Sequence, residues 1–123
     1  MATLNDRVFD NGLTVLDTEA NRLDITSQEA TTYAGATSTY TLGNKTSLAI
    51  GAPADRSGGG RDVTVTAITD GSVTATGTAT HWAIVDTANS RLLATGALNA
   101  SQAVTNGNTF TLASFKIGIP DPA

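Results

Sequence analysis

Between residues 62 and 119 the chain is a series of short β-branched and apolar runs, and turn-forming pairs interrupt it at close intervals. The pairs are Asp70-Gly71, Asn89-Ser90 and Asn106-Gly107. Asp-Gly and Asn-Gly are typical of the tight turns that join antiparallel strands. Helical periodicity is missing nearly everywhere, and residues 17–22 have room for one turn at most. The pattern predicts an all-β fold, a single antiparallel β-sandwich of the jelly-roll or immunoglobulin-like kind with little or no helix.

The chain length predicts a single domain over residues 1–123, because a chain of this size can bury a core without disulfides or metals. We expect an N-terminal arm (about 1–12) that ends in an Asn-Gly turn, first strands at 13–16 and 23–26, and a short C-terminal tail (118–123). Residues 27–39 are small and polar, so they are expected to cross the surface without strand structure. A Gly-rich loop at 51–61 is expected to break the ladder of strands.

The spacing of apolar residues changes in the last predicted strand. Phe110 and Leu112 occupy even positions, whereas Phe115, Ile117 and Ile119 occupy odd ones. Successive side chains of a strand point to opposite faces, so one inserted residue would keep all five on the inner face. We therefore predict a β-bulge near residues 113 and 114. The run around Trp82 is almost continuously apolar, which predicts a central strand with this side chain in the core.

The charge balance argues against two classes of partner. Seven basic and eleven acidic residues give a net charge of −4, whereas nucleic acids and anionic membranes both attract a basic face. The first residues lack the apolar core of a secretory signal, and no apolar run approaches the roughly 20 residues that span a bilayer. We therefore expect no nucleic-acid partner and no membrane partner.

The composition predicts a thin core. The chain has 22 threonines and 19 alanines, but one tryptophan, three phenylalanines and two tyrosines. Large side chains supply most of the free energy of burial, so this core is lean for its length. We expect contacts between subunits to contribute to stability, in a homo-oligomer for which a trimer is one symmetric form.

Residues suited to catalysis or metal binding form no recognisable pattern. His81 is the only histidine, the nucleophile motif Gly-x-Ser-x-Gly is absent, and the chain has no cysteine. The aspartates lack the spacing of a calcium-binding loop. We predict a protein that is not an enzyme, without catalytic, cofactor-binding or metal-binding residues. A hydrolase that uses His81, or a carboxylate-dependent glycosidase, is the remaining enzymatic alternative.

The candidates for contact with a partner lie in segments that we expect to be exposed. The Gly-rich loop carries arginines, which suit ion pairs across interfaces. The long polar segment carries tyrosines that can stack on a sugar ring. The N-terminal arm is expected to order against a partner. The candidates are Arg56, Arg61, Asp62, Tyr33, Tyr40, Arg7 and Phe9.

Three stretches of the C-terminal half form a distinctive series. They are residues 76–86 (TGTATHWAIVD), 91–98 (RLLATGAL) and 104–112 (VTNGNTFTL). The series resembles small β-sandwich modules among the virion proteins of tailed bacteriophages. In those modules an "Ala-Thr-His, apolar, Asp" strand precedes "Leu-Leu-Ala-x-Gly-x-Leu" and "Val-x-x-Gly-x-Thr". Such modules occur in tail fibres, head fibres and capsid decoration proteins, and the N-terminal half matches no such pattern.

The resemblance implies a structural virion protein. A chain without a long shaft or repeats favours a compact capsid decoration or accessory protein that binds the assembled shell non-covalently. Its partners would then be the major capsid protein or other virion proteins. It would be located in the virion, which assembles in the cytoplasm of the bacterial host. The alternative is a module associated with a tail fibre or head fibre that binds a receptor or a carbohydrate. No cofactor is implied.

Overall fold

The computed structural model of the chain describes the backbone of residues 6–120 and the side chains of residues 10–120. Most of it is antiparallel β-structure, in a curled half-barrel sheet and a second, smaller sheet, which confirms the all-β, sandwich-like fold. The elements, in chain order, are α1 (Asp6–Glu19), β1 (Arg22–Thr26), a π-helix (Gly35–Thr39), β2 (Thr41–Thr46), β3 (Ala54–Asp55), β4 (Arg61–Val65), β5 (Ile68–Val73), β6 (Gly77–Asp86), β7 (Arg91–Val104), β8 (Thr109–Leu112) and β9 (Phe115–Ile119).

The large sheet has six strands in the order β7-β6-β1-β2-β5-β8, and the small sheet has three in the order β3-β4-β9. β1 lies inside the large sheet, antiparallel to both β2 and β6. One continuous core cluster contains residues of α1, β4 and the large sheet, so the helix and the small sheet cover the same face of the large sheet. Its fully buried members include Leu23, Ile84, Val63 and Val65.

The N-terminal helix is the main departure from the predicted fold. Leu13 and Leu16 are buried on one face of α1, and Ala20 continues that face directly after the helix. The predicted turn at 11–12 and strand at 13–16 are therefore wrong. A glycine inside a helix, here Gly12, costs about 0.5–1 kcal/mol relative to alanine, and burial of a leucine contributes about 1.5–3 kcal/mol. Residues 6–12 of the predicted arm are helical, and residues 1–5 lie outside the described part of the chain.

Of the three turns predicted between residues 62 and 119, two are confirmed. The turn at 87–90 joins β6 and β7 as a hairpin, with Ser90 at a φ of 53°. Asn106-Gly107 forms the turn between β7 and β8, with Gly107 at a φ of 91°. The predicted hairpin turn at 70–71 is wrong, because both residues lie within β5. Gly71 pairs with Phe110 across the sheet, and the phenyl ring occupies the space that a Cβ would need.

The parity change near the end of the chain marks a change of sheet. β8 pairs with β5 in the large sheet, whereas β9 pairs with β4 in the small sheet. The predicted bulge is therefore wrong, since two separate strands carry the two sets of apolar residues. Phe110 is buried and Leu112, Phe115 and Ile117 are partly buried, but Ile119 is 37 % exposed and does not lie on an inner face.

The Gly-rich segment is more ordered than a simple break in the ladder. β3 lies within it and pairs antiparallel with the start of β4. Gly58, Gly59 and Gly60 form the turn of this hairpin at φ values of 87°, 106° and 90°, which glycine adopts without steric cost. Residues 27–39 contain no strand, as expected, but they include the π-helix. At the other end, residues 118 and 119 still belong to β9, and residues 121–123 lie outside the described part.

Candidate functional site

The candidate site is a cleft between the two edges of the large sheet. β7 forms one edge and β8 the other, and the turn at 105–108 joins them. In a paired hairpin with such a turn, residues 102 and 111 would be backbone neighbours. Here the Gln102 side chain reaches across, and its Nε2 donates a hydrogen bond to the carbonyl oxygen of Thr111 at 3.2 Å. Within the described strands β7 and β8 are not hydrogen-bonded neighbours, and a side chain bridges the gap between them.

The cleft has a volume of about 450 Å³ and a mostly apolar lining. Volumes of about 300–1,000 Å³ with such linings are typical of ligand sites. The lining comes from β6, from β7 and from the junction of β8 with β9. The residues are Trp82, Gly96, Ala97, Leu98, Asn99, Ala100, Gln102, Leu112, Ala113, Ser114, Phe115 and Lys116.

Trp82 is the central aromatic residue of this cleft and the only tryptophan of the chain. It lies on β6, an interior strand as expected, but its side chain is only partly buried. Its ring centroid is 4.6 Å from that of Phe115, and the two planes are tilted by 38°. Gly96 faces Trp82 in register on β7, and a Cβ at that position would lie 2.5 Å from the indole Cζ2. The absence of a side chain at Gly96 therefore allows the indole to lie against β7.

The polar part of the lining is neutral except for one cation. Asn99, Gln102 and Ser114 contribute amide and hydroxyl groups. Of the described residues that line the cleft, Lys116 is the only charged one, and it is exposed on β9. Such a lining can hold apolar groups and attract a carboxylate. It offers no pair of ionisable side chains for general acid and base chemistry.

Arg56 and Arg61 of the Gly-rich segment and the adjacent Asp62 lie together at the hairpin of β3 and β4, and both arginines make contacts within the chain. Arg61 binds Asp10 of α1, with Nε 2.9 Å from Oδ1, and Asp55, with Nη1 2.7 Å from Oδ1. Arg56 donates from Nη1 to a carbonyl oxygen of its own turn at 3.0 Å. Asp62 is only 6 % exposed. The ion pair between Arg61 and Asp10 links the hairpin to α1. A role of these residues in partner binding stays a prediction.

Tyr33 and Tyr40 lie on the opposite face of the large sheet. They pack, partly exposed, against a second and smaller core cluster beneath the segment 27–40. Residues 83 and 85 of β6 belong to this cluster, whereas residues 82 and 84 face the main core, as the alternation of a strand requires. The structure thus brings the two tyrosines to one surface, and that surface is not part of the cleft.

A buried ion pair stabilises the same face. Asp24 is fully buried and accepts hydrogen bonds from Arg22 Nε at 2.7 Å and Nη2 at 2.8 Å, and from the Thr41 hydroxyl at 2.6 Å. The hydrogen bond to Asp24 raises the pKa of Arg22 above its ordinary value, against a smaller opposing effect of burial. Bidentate pairs of this kind are strong and geometrically specific, and this one lies within β1. The hydrogen bond from Thr41 then joins the buried carboxylate of Asp24 to β2.

The remaining candidates contribute no visible site. His81 lies on β6 with its Nδ1 2.8 Å from the Thr80 hydroxyl oxygen. Arg7 and Phe9 belong to α1, and their side chains lie outside the described part of the chain. Over residues 6–120 no three His, Cys, Asp or Glu side chains gather where they could ligate a metal ion. The helices of this same part are too short or too polar to span a membrane.

Sequence reasoning missed the residues that line the cleft from β7 and from the β8–β9 junction. Two signals were present: the parity change that marks the change of sheet, and the absence of any charge between residues 92 and 104. Fold and site together define a small all-β module whose half-barrel sheet is open along one side. Neither a protein-family model, nor a curated protein, nor a solved structure matches this chain.

Proposed function

We propose that the chain is a structural virion protein of a tailed phage, a capsid accessory protein that binds the assembled shell non-covalently. The observation that carries the proposal is the apolar cleft beside the open edge of β7, a surface suited to holding protein rather than to transforming a substrate. The stretches that resemble phage virion modules coincide with β6, β7 and β8, the strands that border the cleft. The partner would be the major capsid protein or another virion protein, and the location the virion.

The mechanism would be mass action without chemistry. A protein that binds only the assembled form of a shell stabilises that form in proportion to its concentration relative to Kd. The lean composition is consistent with a homo-oligomer on the shell, in which contacts between copies add to the small core.

Co-sedimentation with purified phage heads that lack the chain tests the proposal. The tagged chain should bind saturably, with a stoichiometry that matches the copy number of a lattice position. Heads that already carry the protein are the matched control and should bind little more. Absence of saturable binding to the vacant heads would reject the role on the capsid.

The second candidate is a module associated with a tail fibre or head fibre that binds a receptor or carbohydrate. The partly exposed Trp82, beside the amides of Asn99 and Gln102, favours it, because aromatic rings and amides recur in sugar sites. Tyr33 and Tyr40 offer a second aromatic surface. Glycan or host-cell binding that is lost in Tyr33→Ala with Tyr40→Ala would assign it to the tyrosines. Loss in Asn99→Ala would assign it to the cleft.

A further inference from the structure

The edges of the two sheets differ greatly in length. Four strands lie at edges, and three of them are short: β3 has two residues, β8 has four and β9 has five. β7 has 14 residues. Natural proteins keep edge strands short, because a free row of backbone N–H and C=O groups is a template for pairing with another chain. β7 is the exception in this fold.

β7 also lacks the side chains that usually protect an edge. After Arg91 it contains no charged residue and no proline as far as its end at Val104. Charges, prolines and β-bulges are the common means of preventing a further strand from adding to a sheet, and of these β7 beyond Arg91 has only bulges, opposite residues 79–81 and 84–85 of β6. A long, neutral edge beside an apolar cleft is the arrangement that strand-adding recognition sites use, in which the backbone gives affinity and pockets give specificity.

An irregular stretch of β7 lies directly at the cleft. Ala97 pairs with His81 of β6, and the next pair along the ladder joins Gln102 to Ala79. Residues 98–101 therefore lie opposite the single residue Thr80 of β6, and they form a bulge in the pairing of β6 with β7. Bulges of this kind often re-aim side chains at binding sites. Here three of the four, residues 98–100, line the cleft.

We propose that the cleft binds an extended peptide segment of a partner protein, which adds as a strand to the outer edge of β7. An apolar side chain of the segment enters the cleft against Trp82 and Phe115. A carboxylate of the segment meets Lys116, the cation of the lining. The inference rests on the proposed function only for the identity of the partner protein. The ability to accept an added strand comes from the edge of β7 itself.

The occupant follows from charge and backbone chemistry. Symmetric pairing of two copies through β7 would bring no carboxylate to Lys116, because β7 has none between residues 92 and 104. A sugar or a lipid has no regular series of backbone donors and acceptors, so it could not form hydrogen bonds with successive N–H and C=O groups of the edge. A peptide with alternating apolar residues and one acidic residue satisfies the pocket, the cation and the edge together.

A display library of random peptides of about seven residues, a common strand length, is the probe. Selection on the immobilised full chain should enrich peptides with alternating apolar positions and an acidic residue. The best binder, made synthetically, should shift the fluorescence of Trp82, which reports on the cleft without interference because the chain has no other tryptophan. N-methylation of the peptide should abolish binding at alternate positions only, because alternate N–H groups of a strand face its neighbour.

Three charge substitutions, one of them a control, test the location. Ala100→Glu places a carboxylate at an exposed position of the cleft and should weaken peptide binding about tenfold through repulsion. Ala88→Glu, at an exposed alanine in the turn before β7, is the matched control and should leave the affinity unchanged. Lys116→Glu should reverse the selection from acidic to basic peptides.

Several results would overturn the inference. They are the enrichment of no peptide, equal loss of binding on N-methylation at every position, and equal affinity of the Ala100→Glu and Ala88→Glu variants. Hydrogen exchange of the chain alone, measured at increasing concentration, tests self-association. If β7 becomes more protected as the concentration rises, the occupant of the edge is a second copy of the chain and not a peptide of another protein. Peptide binding without head binding would reject the virion role and keep the site. Head binding by the Ala100→Glu variant, with no peptide enriched, would keep the role and reject the site.

Discussion

Gly96→Ala is the substitution that most directly tests the geometry of the cleft. The added Cβ would lie 2.5 Å from Trp82 Cζ2, 2.7 Å from Cε2 and 2.9 Å from Nε1. Real Cβ atoms do not approach other heavy atoms this closely, so the indole has to move. The indole is not a flexible chain end, because it packs on Phe115 with ring centroids 4.6 Å apart. The substitution should therefore disturb both the stability of the protein and the floor of the cleft.

Two opposing effects determine the size of the change. Overpacking of a well-packed site costs about 1–3 kcal/mol. Replacing glycine by alanine reduces the freedom of the unfolded chain and returns about 0.4–1 kcal/mol. We expect a net loss of about 1–2 kcal/mol in the free energy of unfolding. For a domain of this size it corresponds to a fall in Tm of about 3–10 °C.

Thermal unfolding followed by circular dichroism measures the loss, and near-ultraviolet signals report on the indole. Gly51→Ala is the matched control, because the nearest atom to its added Cβ is the Thr64 carbonyl oxygen at 3.9 Å, an ordinary contact. The control should lose no stability and should raise the Tm by about 1–5 °C, because it gains the reduced freedom of the unfolded chain without a clash. The reasoning would be wrong if Gly96→Ala matched the control in Tm and left the indole signal unchanged.

Three further experiments test other parts of the account. Gly12→Ala should raise the free energy of unfolding by about 0.5–1 kcal/mol in chemical denaturation, since Gly12 is exposed inside α1 and a Cβ there has room; a loss of stability would argue against the helix. Arg61→Ala and Asp10→Ala should show a coupling energy of about 0.5–1.5 kcal/mol in a double-mutant cycle, and additive losses would contradict their ion pair. The Asn89 side chain and a backbone N–H lower the pKa of Asp86 against the effect of burial, so Asp86 stabilises the fold above its unfolded-state pKa of about 4 and loses that contribution in acid. Asn89→Ala should therefore have a lower Tm than the wild type at pH 7, and the difference should shrink below pH 4.

The local signals in the sequence located most strands of the C-terminal half, but they could not assign those strands to sheets. Alternation and turn pairs located β6, the start of β7 and the last strands. They could not show that β8 and β9 belong to different sheets. A short connection between two strands and a bulge within one strand both shift the apolar residues from even to odd positions, so the sequence pattern is the same. Asp70-Gly71 misled for a related reason: Gly71 is small because Phe110 lies across it, and that contact joins residues far apart in the chain.

The helix and the cleft were missed for different physical reasons. In α1 the burial of Leu13 and Leu16 outweighs an unfavourable Asn-Gly pair, so tertiary packing overrides local preference. The cleft depends on the curl of the large sheet, which brings β7 and β8 near each other without pairing them. The sequence predicts that the arginines on the Gly-rich segment contact a partner, but the structure shows Arg61 bound to Asp10 of α1 and to Asp55 of β3 in the same chain.

Hydrogen exchange of the chain bound to phage heads tests the central claim most directly, because it locates the contact on the chain. The account expects those amides of residues 96–101 that face away from β6, along the outer edge of β7, to exchange more slowly on the heads than in the free protein. The Gly-rich segment at 51–61 should change less. Protection confined to that segment, or bound protein in which β7 exchanges as fast as in the free chain, would contradict the account.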